Sequence, residues 1–91
     1  MKTEDLAREV LSKLTDEGRT LATAESCTGG LLGKLLTDVP GASNAYKGGV
    51  ISYVNEVKHR LLGVEQETLD ICTAVSRETA HEMAKGAREA V

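Results

Sequence analysis

Ninety-one residues, 41% of them hydrophobic and 27% charged, have the composition of one ordinary folded domain. Phe and Trp are absent, and Tyr46 and Tyr53 are the only aromatics, so Leu, Val, Ala, Ile and Met must build the core. Eleven basic residues against fourteen acidic ones give a net charge of -3 with the signs interspersed, which leaves no basic stripe for nucleic acid, and no apolar run reaches bilayer length.

The opening Met1-Lys2-Thr3-Glu4-Asp5 reads as acidic helix-start chemistry and not as a secretory leader. Cys27 and Cys72 in such a chain read as reduced thiols, so the expected location is the cytoplasm. Leu6, Ala7, Val10, Leu11 and Leu14 share one helix face, with Thr3 as the expected cap and Gly18 as the stop. Thr20 to Ala24 is predicted as a short strand. After the Glu25 to Gly30 turn, a second helix carries Leu31, Leu32, Leu35, Leu36 and Val39 and ends at Pro40-Gly41.

Ala42 to Lys47 is a polar connection, and Gly48 to Val54 is the second predicted strand. Asn55 is the expected cap of a helix from Glu56 to Leu62, stopped by Gly63. Val64 to Ala74 is less regular, with one helical turn near Glu65 to Leu69. Ser76 caps the last helix, whose expected buried face is Ala80, Met83, Ala84, Ala87 and Val91. Strands alternating with helices predict an open α/β sheet, but two strands do not make a stable one. The reading is therefore an incomplete α/β fold of two strands and three to four helices, completed by oligomerisation or by further C-terminal chain.

Ala24-Glu25-Ser26-Cys27-Thr28-Gly29-Gly30 joins a strand end to a helix start, where open α/β sheets bind ligands. Backbone N–H groups there attract a phosphate or stabilise an oxyanion. Ser26 or Thr28 can act as a nucleophile or hydroxyl donor, and both serve equally as helix caps. Cys27 is a rival nucleophile in the same turn. The pattern is neither a P-loop nor a dinucleotide fingerprint. Tyr53 lies at the end of the second predicted strand, and Lys58 about one turn into the next helix; a desolvated lysine amine can activate a serine, and a tyrosine can relay the proton. The alternative makes Tyr53 an edge of the core and Lys58 a solvated helix residue. Cys27, Cys72, His59 and His81 lack zinc spacing, so no metal is expected.

Five ordered blocks carry a resemblance: Ala24 to Gly30, Thr37 to Ser43, Gly48 to Lys58, Leu61 to Val64 and Ala74 to Ser76. Together they resemble the C-terminal domain of the CinA family of competence/damage-inducible proteins. The resemblance implies a three-layer α/β/α sandwich whose members commonly self-associate. It also implies a cofactor-free amidohydrolase that converts nicotinamide mononucleotide to nicotinate mononucleotide and ammonia. Its partners would be this pyridine nucleotide and further copies of the chain, with neither nucleic acid nor membrane.

Carried over, Ser26 is the nucleophile, Lys58 its base, and Tyr53 lies in the proton path. Glu25, Thr28, Gly29 and Gly30 would face the substrate, with Gly48, Gly49 and Asn55 as further pocket residues. Thr73 stands where the family pattern often has Gly, which implies an altered turn. The family pattern also continues past the last helix into a further strand and part of the pocket. The expectation for residues 1–91 alone is thus weak or no activity, and the alternative is an inactive or non-enzymatic module that binds a nucleotide or a protein.

Overall fold

A computed structural model describes residues 2–91. Helix α1 (Thr3–Asp16) leads into strand β1 (Leu21–Glu25), and helix α2 (Leu31–Thr37) follows the turn after β1. A single 3-10 turn (Ala42–Asn44) precedes strand β2 (Tyr46–Ile51). Helices α3 (Asn55–Leu62), α4 (Gln66–Cys72) and α5 (Arg77–Ala90) complete the described chain. The expected turn near Glu65 is thus a fifth helix, α4, held by Glu82 of α5. The Glu82 carboxylate accepts the Glu65 N–H at 2.9 Å and the Thr68 hydroxyl at 2.7 Å, linking the start of α4 to α5.

The two strands are parallel. Leu21 pairs with Tyr46, and an irregularity then skips Lys47, so that Ala22 faces Gly48, Ala24 faces Val50 and Glu25 faces Ile51. Because side chains alternate along a strand, each strand supplies both faces of the sheet. Leu21 and Tyr46 pack with Ala7, Leu11, Leu36, Ala42 and Ala45 beneath α1 and α2. Ala24 and Val50 pack with Leu62, Val64, Leu69, Met83 and Ala87 against α3, α4 and α5. Two small aliphatic cores on opposite faces of one sheet make the three-layer α/β/α arrangement.

β1 begins and ends one residue later than the sequence suggests. β2 begins at Tyr46, inside the expected polar connection, and stops at Ile51, before Ser52 to Val54. The caps also differ. Lys2 and Val54, not Thr3 and Asn55, occupy the N-cap positions of α1 and α3, and neither helix has a side-chain cap bond. Thr3 and Asn55 are each the first helical residue, where their side chains no longer face the free amides. Ser76 does cap α5, accepting the Thr79 N–H at 3.1 Å.

The buried face of α5 is rotated from the expected one. Thr79, Met83, Gly86 and Ala87 are buried, while Ala80 and Ala84 are exposed. Gly86 sets this rotation, because a methyl group there would overlap the Leu62 carbonyl of α3. Alanine, in contrast, suits a solvent-facing helix position as well as a buried one.

Candidate functional site

The carboxyl ends of β1 and β2 meet at one hydrogen bond, in which the Ser52 N–H donates to the Glu25 carbonyl at 2.8 Å. Ser26 follows Glu25 directly, and Tyr53 follows Ser52. The chain therefore brings the turn of residues 26–30 and the start of α3 to the same edge of the sheet.

Glu25 is the organising residue of this edge. It is 5% exposed, and both carboxylate oxygens are occupied. Oε1 accepts the Thr28 hydroxyl at 2.8 Å and the Leu32 N–H at 2.8 Å, and Oε2 accepts the Gly33 N–H at 3.0 Å. Burial pushes the Glu25 carboxyl upward, but hydrogen bonds from the Thr28 hydroxyl and from backbone amides of Gly33, Leu32 and Gly30 outweigh it. The net result is a carboxyl held below its ordinary value.

The expectation that the α2 amides are free for a ligand does not hold for Leu32 and Gly33, since an internal carboxylate fills them. Gly33 permits this contact, because a Cβ there would come to 3.3 Å from Glu25 Oε2 and 3.0 Å from the Tyr46 hydroxyl. Among the described residues, the N–H groups of Cys27 and Thr28 make no hydrogen bond. Ser26 is half-buried, and Cys27, Thr28 and Gly29 are exposed. Gly30 takes the left-handed N-cap position of α2 at φ 105°, with Ile51 against its α-carbon.

Gly48 and Gly49 have structural explanations in the sheet. Gly48 sits at the irregular pairing with φ 142°. A Cβ on Gly49 would strike the Thr23 hydroxyl and lie 2.7 Å from the Thr23 carbonyl. Thr23 is buried and shares a hydrogen bond of 2.7 Å with the Tyr46 hydroxyl. This pair lies beneath α2 on the same face as Glu25.

Lys58 is buried, as its reading as a desolvated amine requires and against its reading as a solvated helix residue. It is only 3% exposed, and its Nζ donates to the Tyr53 carbonyl at 2.7 Å. No carboxylate pairs with it, since the ion pairs among the described residues are Arg19–Glu17 and Lys34–Asp38. Tyr53 meets Lys58 through its backbone, while its side chain is 75% exposed at the mouth of the edge. Asn55 is exposed at the start of α3.

Sequence reasoning missed two participants. Ser52 is fully buried, and its hydroxyl is the one buried side-chain polar atom without a partner among the described residues. The family resemblance implies Glu25 as a substrate contact, whereas its carboxylate is an internal anchor of the turn and α2. An acidic residue ending a strand one turn before a helix was the available signal, because carboxylates favour helix N-termini. No group of three or more His, Cys, Asp or Glu could hold a metal among the described residues, and no helix is long and apolar enough to cross a membrane.

Comparison with known proteins agrees with this architecture. The chain is 54% identical over 89 residues to a CinA-like protein of Leptospira borgpetersenii, an alignment covering 98% of this chain and 21% of that protein. It is 52% identical over 86 residues to a CinA-like protein of Synechocystis, covering 94% of this chain and 21% of that one. A crystal structure of a competence-damaged protein (CinA) superfamily member from Enterobacter cloacae superposes with a TM-score of 0.95 at 39% identity, covering 98% of this chain and 53% of that chain. The competence/damage inducible protein CihA of Agrobacterium tumefaciens superposes at 0.92 and 45% identity, covering 96% and 53%. The chain thus spans about a fifth of these curated relatives and about half of the solved chains. The sequence profile of the CinA C-terminal domain matches residues 3–91. With the profile matched over residues 3–91, relatives more than half identical and a fold that superposes on solved members, the chain belongs to the CinA C-terminal domain family.

Proposed function

We propose that the chain carries the reaction centre of an amidohydrolase acting on the carboxamide of nicotinamide mononucleotide. The observation that carries this reading is the burial of Lys58 without a carboxylate partner, beside the strand edge that bears Ser26. Lysines are almost never fully buried unless paired. We read this amine as the group that takes the proton from Ser26.

In this reading the Ser26 hydroxyl attacks the carboxamide carbon, and its proton passes to Lys58. The carbonyl electron pair moves onto oxygen, which the free N–H groups of Cys27 and Thr28 are available to stabilise. Lys58 returns that same proton to the departing nitrogen, with Tyr53 in the proton path, and ammonia leaves. Water then attacks the acyl-serine, releasing nicotinate mononucleotide and restoring Ser26.

The test is ammonia release from nicotinamide mononucleotide, measured for the wild-type chain and for Ser26→Ala. Release that disappears in Ser26→Ala, with an unchanged circular dichroism spectrum, supports the reading. Release that persists contradicts the nucleophile assignment. A melting shift with the nucleotide but no ammonia from either protein supports the non-enzymatic binding module instead.

A further inference from the structure

We infer that Glu25 is a positioning residue for Ser26, fixing the 26–30 turn by gripping it from the α2 side. The inference rests on the Ser26 reading above and deepens it. Glu25 lies one residue before Ser26, and its two oxygens hold three groups across eight residues: the Thr28 hydroxyl, the Leu32 N–H and the Gly33 N–H. Its own carbonyl holds Ser52 of the neighbouring strand end. One residue therefore ties the turn, the start of α2 and the end of β2 together, and Ser26 sits between those ties.

A direct substrate contact is the competing role for Glu25. Both oxygens are already occupied and the side chain is 5% exposed, so little of it remains to meet a ligand. It also faces α2, whereas Lys58 lies on α3. Simple stabilisation of the fold is the other competing role. Activity separates the two, because displacement of a reacting group by about 1 Å can cost about 100-fold in rate.

The discriminating variant is Glu25→Gln. Glutamine matches the size of glutamate but presents one NH2 in place of one oxygen. Whichever way the amide is turned, it points a donor at a donor. Either Gly33 N–H or the Leu32 N–H and Thr28 hydroxyl lose their acceptor. The turn is then held on one side only.

The assay is acylation of Ser26 by p-nitrophenyl acetate, with the modified residue located by peptide mass spectrometry. In that step Ser26 Oγ bonds to the acetyl carbon, nitrophenolate leaves with the bonding pair, and the serine proton passes to Lys58. Glu25→Gln is expected to label about 10- to 100-fold more slowly than wild type at a temperature where both are fully folded. With nicotinamide mononucleotide, kcat is expected to fall while KM stays unchanged. Wild-type labelling rates in Glu25→Gln overturn the inference alone, as does a raised KM with unchanged kcat, which would mark Glu25 as a substrate contact. If Glu25→Gln does not fold, Thr28→Val removes a single bond to the same carboxylate. A severalfold slower labelling supports the inference, and an unchanged rate overturns it. Failure of the wild-type chain to label at Ser26 overturns the nucleophile reading and this inference with it.

Discussion

Glu25 and Lys58 are both charged residue types placed where water does not reach, and their surroundings treat them oppositely. Glu25 is surrounded by donors, and its carboxyl is held below its ordinary value by the Thr28 hydroxyl and the α2 amides acting against burial. A lowered folded-state value gives stability that is present above the unfolded-state value and is lost as pH falls through the folded one. Wild type should therefore lose its stability advantage over Glu25→Gln on acidification below about pH 4, in urea denaturation at stepped pH. A gap between the two proteins that stays constant to pH 2 contradicts this. Lys58 has a single carbonyl acceptor and no counter-charge. Lys58→Met keeps the length and apolar stem, so it should leave the melting temperature equal or higher while abolishing Ser26 acylation. Thr73 is the third notable residue. It stands at φ 70°, ψ 170°, a backbone region that favours glycine, while its carbonyl accepts the Thr79 hydroxyl at 2.7 Å. Thr73→Gly should stabilise the fold by about 1 kcal/mol, the relief of strain outweighing the added chain entropy. A chemical denaturation midpoint at or below wild type contradicts that expectation.

Helices α3 and α5 approach so closely that no side chain fits between the Gly86 α-carbon and the Leu62 carbonyl. Alanine normally improves on glycine inside a helix by about 1 kcal/mol. At this position the overlap is with backbone, which cannot swing aside. Gly86→Ala should thus destabilise the protein by about 1–3 kcal/mol, as overpacking does. An increased thermal midpoint would show that the two helices separate easily. The same contact turns the buried face of α5 away from the one its hydrophobic periodicity predicts. Hydrophobic periodicity points to Ala80 and Ala84, but Gly86 and Thr79 have no hydrophobic signal and are buried through shape and hydrogen bonding. α4 was underestimated for a related reason. Its start is tied by the Glu82 carboxylate of α5, a contact from fourteen to seventeen residues away that local pattern cannot show.

Across the whole molecule, the order of elements and the strand-to-helix edge were legible, because turn residues and apolar runs mark them directly. The 26–30 turn and the Tyr53 segment leave neighbouring strand ends, and the Lys58 amine bonds to the Tyr53 carbonyl. The orphan hydroxyl of Ser52 and the anchoring by Glu25 were not legible, and local pattern left the burial of Lys58 open. Each depends on packing between elements: Ser52 on the pairing of the strand ends, Glu25 on its bonds to the 26–30 turn and α2, and Lys58 on the return of its amine to the Tyr53 carbonyl. With a Cα radius of gyration of 14.0 Å, against about 12 Å for a globule of this length, the described chain is an elongated slab. The site lies on the edge of that slab, where both strands end. The most direct test of this account is ammonia release from nicotinamide mononucleotide by wild type, Ser26→Ala and Lys58→Met, measured side by side. Release by wild type, weak for residues 1–91 alone, is expected to fall by at least about 100-fold in each variant with the fold intact. Equal release by all three proteins would contradict the roles given to Ser26 and Lys58.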